Sequence, residues 1–116
     1  MSLSVERFLS FSEEVQLQTI KDLNDIGQEE IIIEALTGVG IENLSVPLLC
    51  ELGRAYNNND KPEEAIKVLN SIDEEYRDAV WHYRCAYSYG FIASNNNEAY
   101  TSNNIQHMLA LVDNGI

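Results

Sequence analysis

An all-α fold is what this sequence predicts, and three observations lead there. From Ser10 onward, apolar residues recur every three or four positions, as they do along one face of a helix. Strand candidates are nearly absent. The β-branched run Ile31–Ile33 prefers extended backbone, but no second strand exists for it to pair with, so it reads as helix. Finally, a small residue followed three positions later by Tyr occurs twice, as Gly53/Tyr56 and Ala86/Tyr89, at an offset of 33 residues.

Taken in order, Ser10-Phe-Ser-Glu13 has the form of a capping box, in which hydroxyl and carboxylate satisfy orphan backbone N–H groups. It opens a helix carrying Val15, Ile20 and Leu23 that ends near Gly27. A short second helix runs from Glu29 to about Leu36 and is stopped by Gly38-Val-Gly40. Ser45 is the next N-cap, with Pro47 in the first turn, where its missing N–H costs nothing. That helix carries Leu48, Leu49, Leu52 and Tyr56 and breaks at Asn57-Asn58-Asn59. Asp60 is the expected cap of the fourth helix, which has Pro62 in its first turn and Ala65, Ile66, Leu69 and Ile72 on its apolar face. After an acidic connection over Asp73–Arg77, the aromatic segment from Asp78 to Ile92 makes the fifth. Ser94–Asn97 has loop composition. A last helix carries Ile105, Met108, Leu109 and Val112 and closes at Asn114-Gly115. Six helices with short connections read as three antiparallel pairs.

The 116 residues suffice for a single domain (1–116) with one modest core. Nineteen acidic against seven basic residues give a net charge of −12, a field that repels a phosphate backbone and excludes nucleic acid as a partner. The apolar runs are too short to cross a membrane, and the first residues lack the cationic and long apolar regions of a secretory signal. Cys50 and Cys85 sit inside apolar helical patterns, which reads as buried reduced thiols in a cytoplasmic protein, with a Cys50–Cys85 disulfide as the alternative.

The stretch Leu49-Cys-Glu-Leu-Gly-Arg-Ala-Tyr56, followed by Asn57-Asn-Asn-Asp-Lys-Pro-Glu-Glu-Ala-Ile66, resembles the tetratricopeptide repeat, a helix–turn–helix unit of about 34 residues. Leu49, Leu52, Gly53, Tyr56, Ala65 and Leu69 fill the positions of that pattern. Residues 45–77 match it well. Residues 78–114 form a divergent second unit, in which Cys85, Ala86 and Tyr89 fit and the last helix serves as a cap, and 10–37 form a degenerate first pair. The phrase Trp81-His-Tyr-Arg84 is similar to small bacterial repeat proteins, some of which accompany toxin-immunity loci. The resemblance implies a right-handed superhelical array whose first helices line a concave, peptide-binding surface.

Helical projection turns Cys50, Arg54, Asn57 and Asn58 away from the Leu49–Leu52–Tyr56 packing stripe. It likewise turns Val80, Tyr83, Arg84, Tyr87 and Phe91 away from Trp81, Cys85 and Tyr89. Partner-binding candidates are therefore Arg54, Asn57, Asn58, Tyr83, Arg84 and Tyr87. Arg supplies a planar fork for carboxylates, Asn holds peptide backbone, and Tyr gives rigid amphipathic contact area. The bland counterpart is surface pairing of the arginines with Glu51, Asp60 or Asp78, and packing of the tyrosines against the last helix. In some family members Lys and Asn clamp a terminal carboxylate; here Cys50 and Arg54 stand at those positions, so that clamp is not implied.

No catalytic or metal site is expected, and no cofactor. His82 lies three residues from Cys85, but the thiol has a packing role and an acidic setting that favours its protonated form. Glu74, Glu75 and Asp78 lack the alternating ligands and Gly of a calcium loop, and Gly38-Val-Gly40 lacks the Lys-Ser/Thr of a phosphate loop. The expected function is a non-enzymatic module binding a peptide or partner protein. Two alternatives are a homodimeric scaffold that buries the Trp81–Phe91 aromatics and an immunity-like acidic partner of a basic protein.

Overall fold

The computed structural model describes residues 3–95, all of whose regular elements are helical. They are α1 (Val5–Ser10), α2 (Glu13–Asp25), α3 (Glu29–Val39), α4 (Val46–Asn58), α5 (Pro62–Asn70) and α6 (Ala79–Asn95), with single 3-10 turns at Ile41–Asn43 and Glu74–Tyr76. The expected last helix, with Ile105 to Val112 and its Asn114-Gly115 end, lies outside the described residues.

The helices recur with one period. α2, α4 and α6 begin at residues 13, 46 and 79, in steps of 33. Each has a side-chain N-cap one residue earlier: the oxygens of Ser12, Ser45 and Asp78 accept from the backbone N–H of Val15, Leu48 and Trp81 at 3.3, 3.4 and 3.0 Å. α3 and α5 begin at 29 and 62, and the two 3-10 turns begin at 41 and 74. Left-handed residues close α2 and α4 at Gly27 (φ 76°) and Asp60 (φ 61°). Beside them the Gln28 and Lys61 N–H groups reach back to Leu23 O and Tyr56 O, both at 2.9 Å, as in a Schellman cap.

Several sequence expectations are corrected. Ser10 does not cap α2: it ends α1, a helix the sequence pattern was too short to announce, and its hydroxyl donates to Arg7 O at 2.5 Å. Ser12 is the cap instead. α3 does not stop at Leu36 but runs through Gly38 and ends at Gly40 (φ 99°). Gly38 is there for room, since a Cβ on it would lie 2.6 Å from the Val5 side chain of α1. Asp60 is not a cap; Lys61 holds the cap position without a side-chain bond, and Asp60 supplies the left-handed turn that Asp tolerates better than most residues. The loop expected from Ser94 does not begin there, because α6 continues to Asn95. Its position 93, one period after Gly27 and Asp60, is Ala, which does not favour the left-handed reversal.

Packing centres on α4, which contacts α2, α3, α5 and α6; α5 also packs on α6, α2 on α3, and α1 on α3. Ile20, Ile32, Leu36, Leu52, Ala55, Ala65 and Leu69 are almost wholly excluded from solvent. Because neighbours surround it, α4 is buried beyond its packing stripe. Cys50 and Asn57, projected onto an open face, are 7% and 3% exposed. Gly53 sets the α4–α5 separation, since a Cβ there would stand 2.8 Å from Leu69 Cγ. Gly53→Ala is expected to cost up to about 2 kcal/mol, because overpacking costs about 1–3 kcal/mol and the gain in helix propensity returns about 1. Urea denaturation measures it; stability at or above wild type would show that Leu69 gives way freely.

Candidate binding cleft

Two helices build the cleft. α4 contributes Arg54, Asn57 and Asn58 near its C-terminal end, and α6 contributes Tyr83, Arg84 and Tyr87 from one face, since 83, 84 and 87 fall within a single turn's reach. These six residues line one open cavity of about 260 Å³. A second groove of about 490 Å³ adjoins it between α2, α4 and the start of α6, sharing Arg54 and Arg84 and adding Leu17, Lys21, Pro47 and Val80 among others. Tyr83 and Tyr87 are about half exposed, at 54% and 46%, and the Tyr87 ring stacks on Phe91 with centroids 6.3 Å apart.

Glu51 organises the floor. It is 5% exposed, and its Oε1 accepts from Arg54 Nη1 at 3.3 Å and from Asn24 Nδ2 at 3.2 Å, while its Oε2 stands 3.6 Å from Arg84 Nη2. Arg54 also donates to Asp25 Oδ1 at 3.0 Å. Of the pairings expected for the arginines, Glu51 is found, whereas Asp60 and Asp78 make no ion pair with them; Asp25 was not foreseen.

The two guanidiniums differ in how well they are satisfied. Burial works against the charge of Arg54, but the Asp25 and Glu51 carboxylates outweigh it and hold its pKa above the usual value. Burial pulls the pKa of Arg84 below the usual value, and Glu51 only partly offsets this.

Asn57 reaches the cleft with both polar atoms engaged. Its Nδ2 donates to Arg84 O at 3.2 Å, and its Oδ1 accepts from the buried Ser88 hydroxyl at 2.7 Å. The same bond occurs one period earlier, where Asn24 Nδ2 donates to Glu51 O at 3.1 Å. Each Asn thus ties its helix to the following helix of the α2–α4–α6 row. Asn24, Asp25 and Ser88 are the residues that sequence reasoning missed, and for Glu51 it missed the burial. The 33-residue offset held a signal for them, since Asn24 and Asn57 are equivalent positions, as are Glu51 and Arg84.

Both cysteines are free and buried. Burial, aided by Asp78, pushes the Cys50 thiol up to about 11, and burial pushes Cys85 up to about 12. For Cys85, where an acidic setting was expected, loss of solvent holds the proton and no carboxylate contributes; the Arg77 charge acts in the opposite direction. His82 Nδ1 is buried without a hydrogen-bond partner, while the ring meets Trp81 edge-on at 4.8 Å. A nucleophile held by a base is not what this geometry offers. Above the ordinary thiol value of 9.0 an unfolded chain loses these protons while the folded chain keeps them, so stability falls as pH rises from 9 through 11. At pH 8 both thiols are expected to react with Ellman's reagent far more slowly than in urea; rapid native labelling would contradict their burial. Among the described residues no group of three or more His, Cys, Asp or Glu could hold a metal ion, and no helix is long and apolar enough to cross a membrane.

Comparison with family models, curated proteins and solved structures finds no match to this chain.

Proposed function

We propose that this chain is a short tetratricopeptide-type array acting as a non-catalytic binding module in the cytoplasm, with an extended peptide or partner-protein segment lying along the face of α2, α4 and α6. The observation that carries the reading is the cleft itself: exposed Tyr83 and Tyr87 stand beside two arginines where α4 and α6 adjoin. The 33-residue recurrence of helix starts, caps and turns supports the array, because repeated pairs stacked in register present equivalent helices on one side. Thiols held protonated by burial fit both a packing role and a reducing compartment.

The test uses Tyr83→Ala/Tyr87→Ala, chosen because both rings are exposed and the variant is expected to stay within about 0.5 kcal/mol of wild type at each site. Affinity capture from lysate of the source cell, read by mass spectrometry, should yield a partner with wild type that the variant loses. An identical partner on both would move the interface to the acidic outer surface. Capture of nothing but the chain itself, with sedimentation showing a dimer, would replace the reading by self-association.

A further inference from the structure

Arg84 carries unspent binding capacity. Its side chain is 19% exposed, yet among the described residues its guanidinium makes no hydrogen bond, its Nε is buried and unpartnered, and the Glu51 oxygen beside it is 3.6 Å away. Arg54, by contrast, donates hydrogen bonds to both Asp25 and Glu51. The other oxygen of that carboxylate, Glu51 Oε1, is committed to Arg54 and Asn24. A largely desolvated guanidinium with free donors gains more from an incoming carboxylate than one in water does, because charge-assisted bonds strengthen as solvent is excluded.

Resting on the peptide-binding reading above, we propose that Arg84 is the anchoring residue of the cleft and takes the side-chain carboxylate of a single acidic residue in the bound peptide, with Tyr83 and Tyr87 covering apolar neighbours of that residue. The cleft suits one carboxylate rather than a run of them: among the described residues Arg54 and Arg84 are the only charged ones lining it, and the net charge of −12 repels a polyanionic segment.

The probes are three pentapeptides: acetyl-Ala-Phe-Glu-Phe-Ala-amide, its Gln analogue, and the Gln analogue with a free C-terminal carboxylate. Titration is followed at the Arg84 Nε–H resonance of wild-type protein and by affinity. The Glu peptide is expected to move that resonance saturably and to bind about tenfold tighter than the Gln amide, with R84Q abolishing the difference. Since R84Q alters the Glu51 surroundings, the wild-type resonance decides even if that variant does not fold. Equal affinity of the Glu and Gln amides would overturn the carboxylate anchor while leaving peptide binding intact. A free-terminus Gln peptide that matches the Glu peptide would overturn the side-chain source in favour of a chain end. Absence of any response to all three would overturn this proposal together with the binding reading.

Discussion

Trp81→Ala is expected to lower the unfolding free energy by about 3–5 kcal/mol, a large share of the roughly 5–15 kcal/mol that holds a domain folded. Three separate contributions are lost at once. The indole is 4% exposed and fills the α5–α6 contact. Its Nε1–H donates to Leu69 O at 2.6 Å, adding a donor to a carbonyl in the last turn of α5 that also accepts from the Ile72 N–H at 3.2 Å. The Arg77 guanidinium lies 4.4 Å from the ring centroid while its Nε and Nη2 donate to Ile72 O and Asn70 O, so ring and cation together close the C-terminal end of α5. Trp81→Phe separates these effects. It keeps most of the apolar area, loses the Leu69 bond and is expected to cost about 1–2 kcal/mol. Denaturant titration followed by circular dichroism measures both; equal losses for Phe and Ala would place the whole effect in the hydrogen bond.

Glu51→Ala carries the second large expected effect, about 2–4 kcal/mol, below the upper range for a fully buried pair because both arginines keep some contact with water. Removing the carboxylate leaves the Arg54 and Arg84 guanidiniums facing each other and strips the Asn24 amide of one of its two acceptors. A double-mutant cycle with Arg84→Met isolates the ionic part, since the second substitution should recover stability once no carboxylate is there to match. A Glu51→Ala variant as stable as wild type would mean the network positions the arginines without holding the helices.

How far the sequence disclosed this molecule depends on the kind of residue. Helix class, the Ser45 cap, the role of Gly53 beside α5 and the close of α2 at Gly27 were all legible, because each follows from a local rule about spacing, capping or backbone freedom. The six cleft residues fell on one side by helical projection alone, and the structure places them around one cavity. Legibility failed where partners lie far apart in the chain. Glu51 looked like a surface partner for the arginines, yet it is buried and Asn24, 27 residues away, donates to it in the floor. Asn57 looked like an available peptide-binding amide, yet Ser88 and the Arg84 carbonyl consume it. Helical projection says which way a side chain faces but not whether another helix already stands there, and α4 has four neighbouring helices.

The Asn24–Glu51 and Asn57–Arg84 carbonyl bonds make the molecule modular in a practical sense. Each junction is closed by a donor from the preceding unit and a backbone acceptor from the next, so the acceptor side places no demand on residue identity. A second copy of residues 45–77 spliced in after Arg77 would bring its own donor, its own serine cap and its own left-handed aspartate, and would meet an asparagine amide on its preceding side and the Arg84 carbonyl on its following side. On α6 the equivalent of the tethering asparagine is Gly90, which offers no side-chain amide, so this tether is not repeated from that position. The chain is therefore open to lengthening from within, by copies that carry the asparagine, and a lengthened version would gain stability unit by unit through its nearest-neighbour contacts.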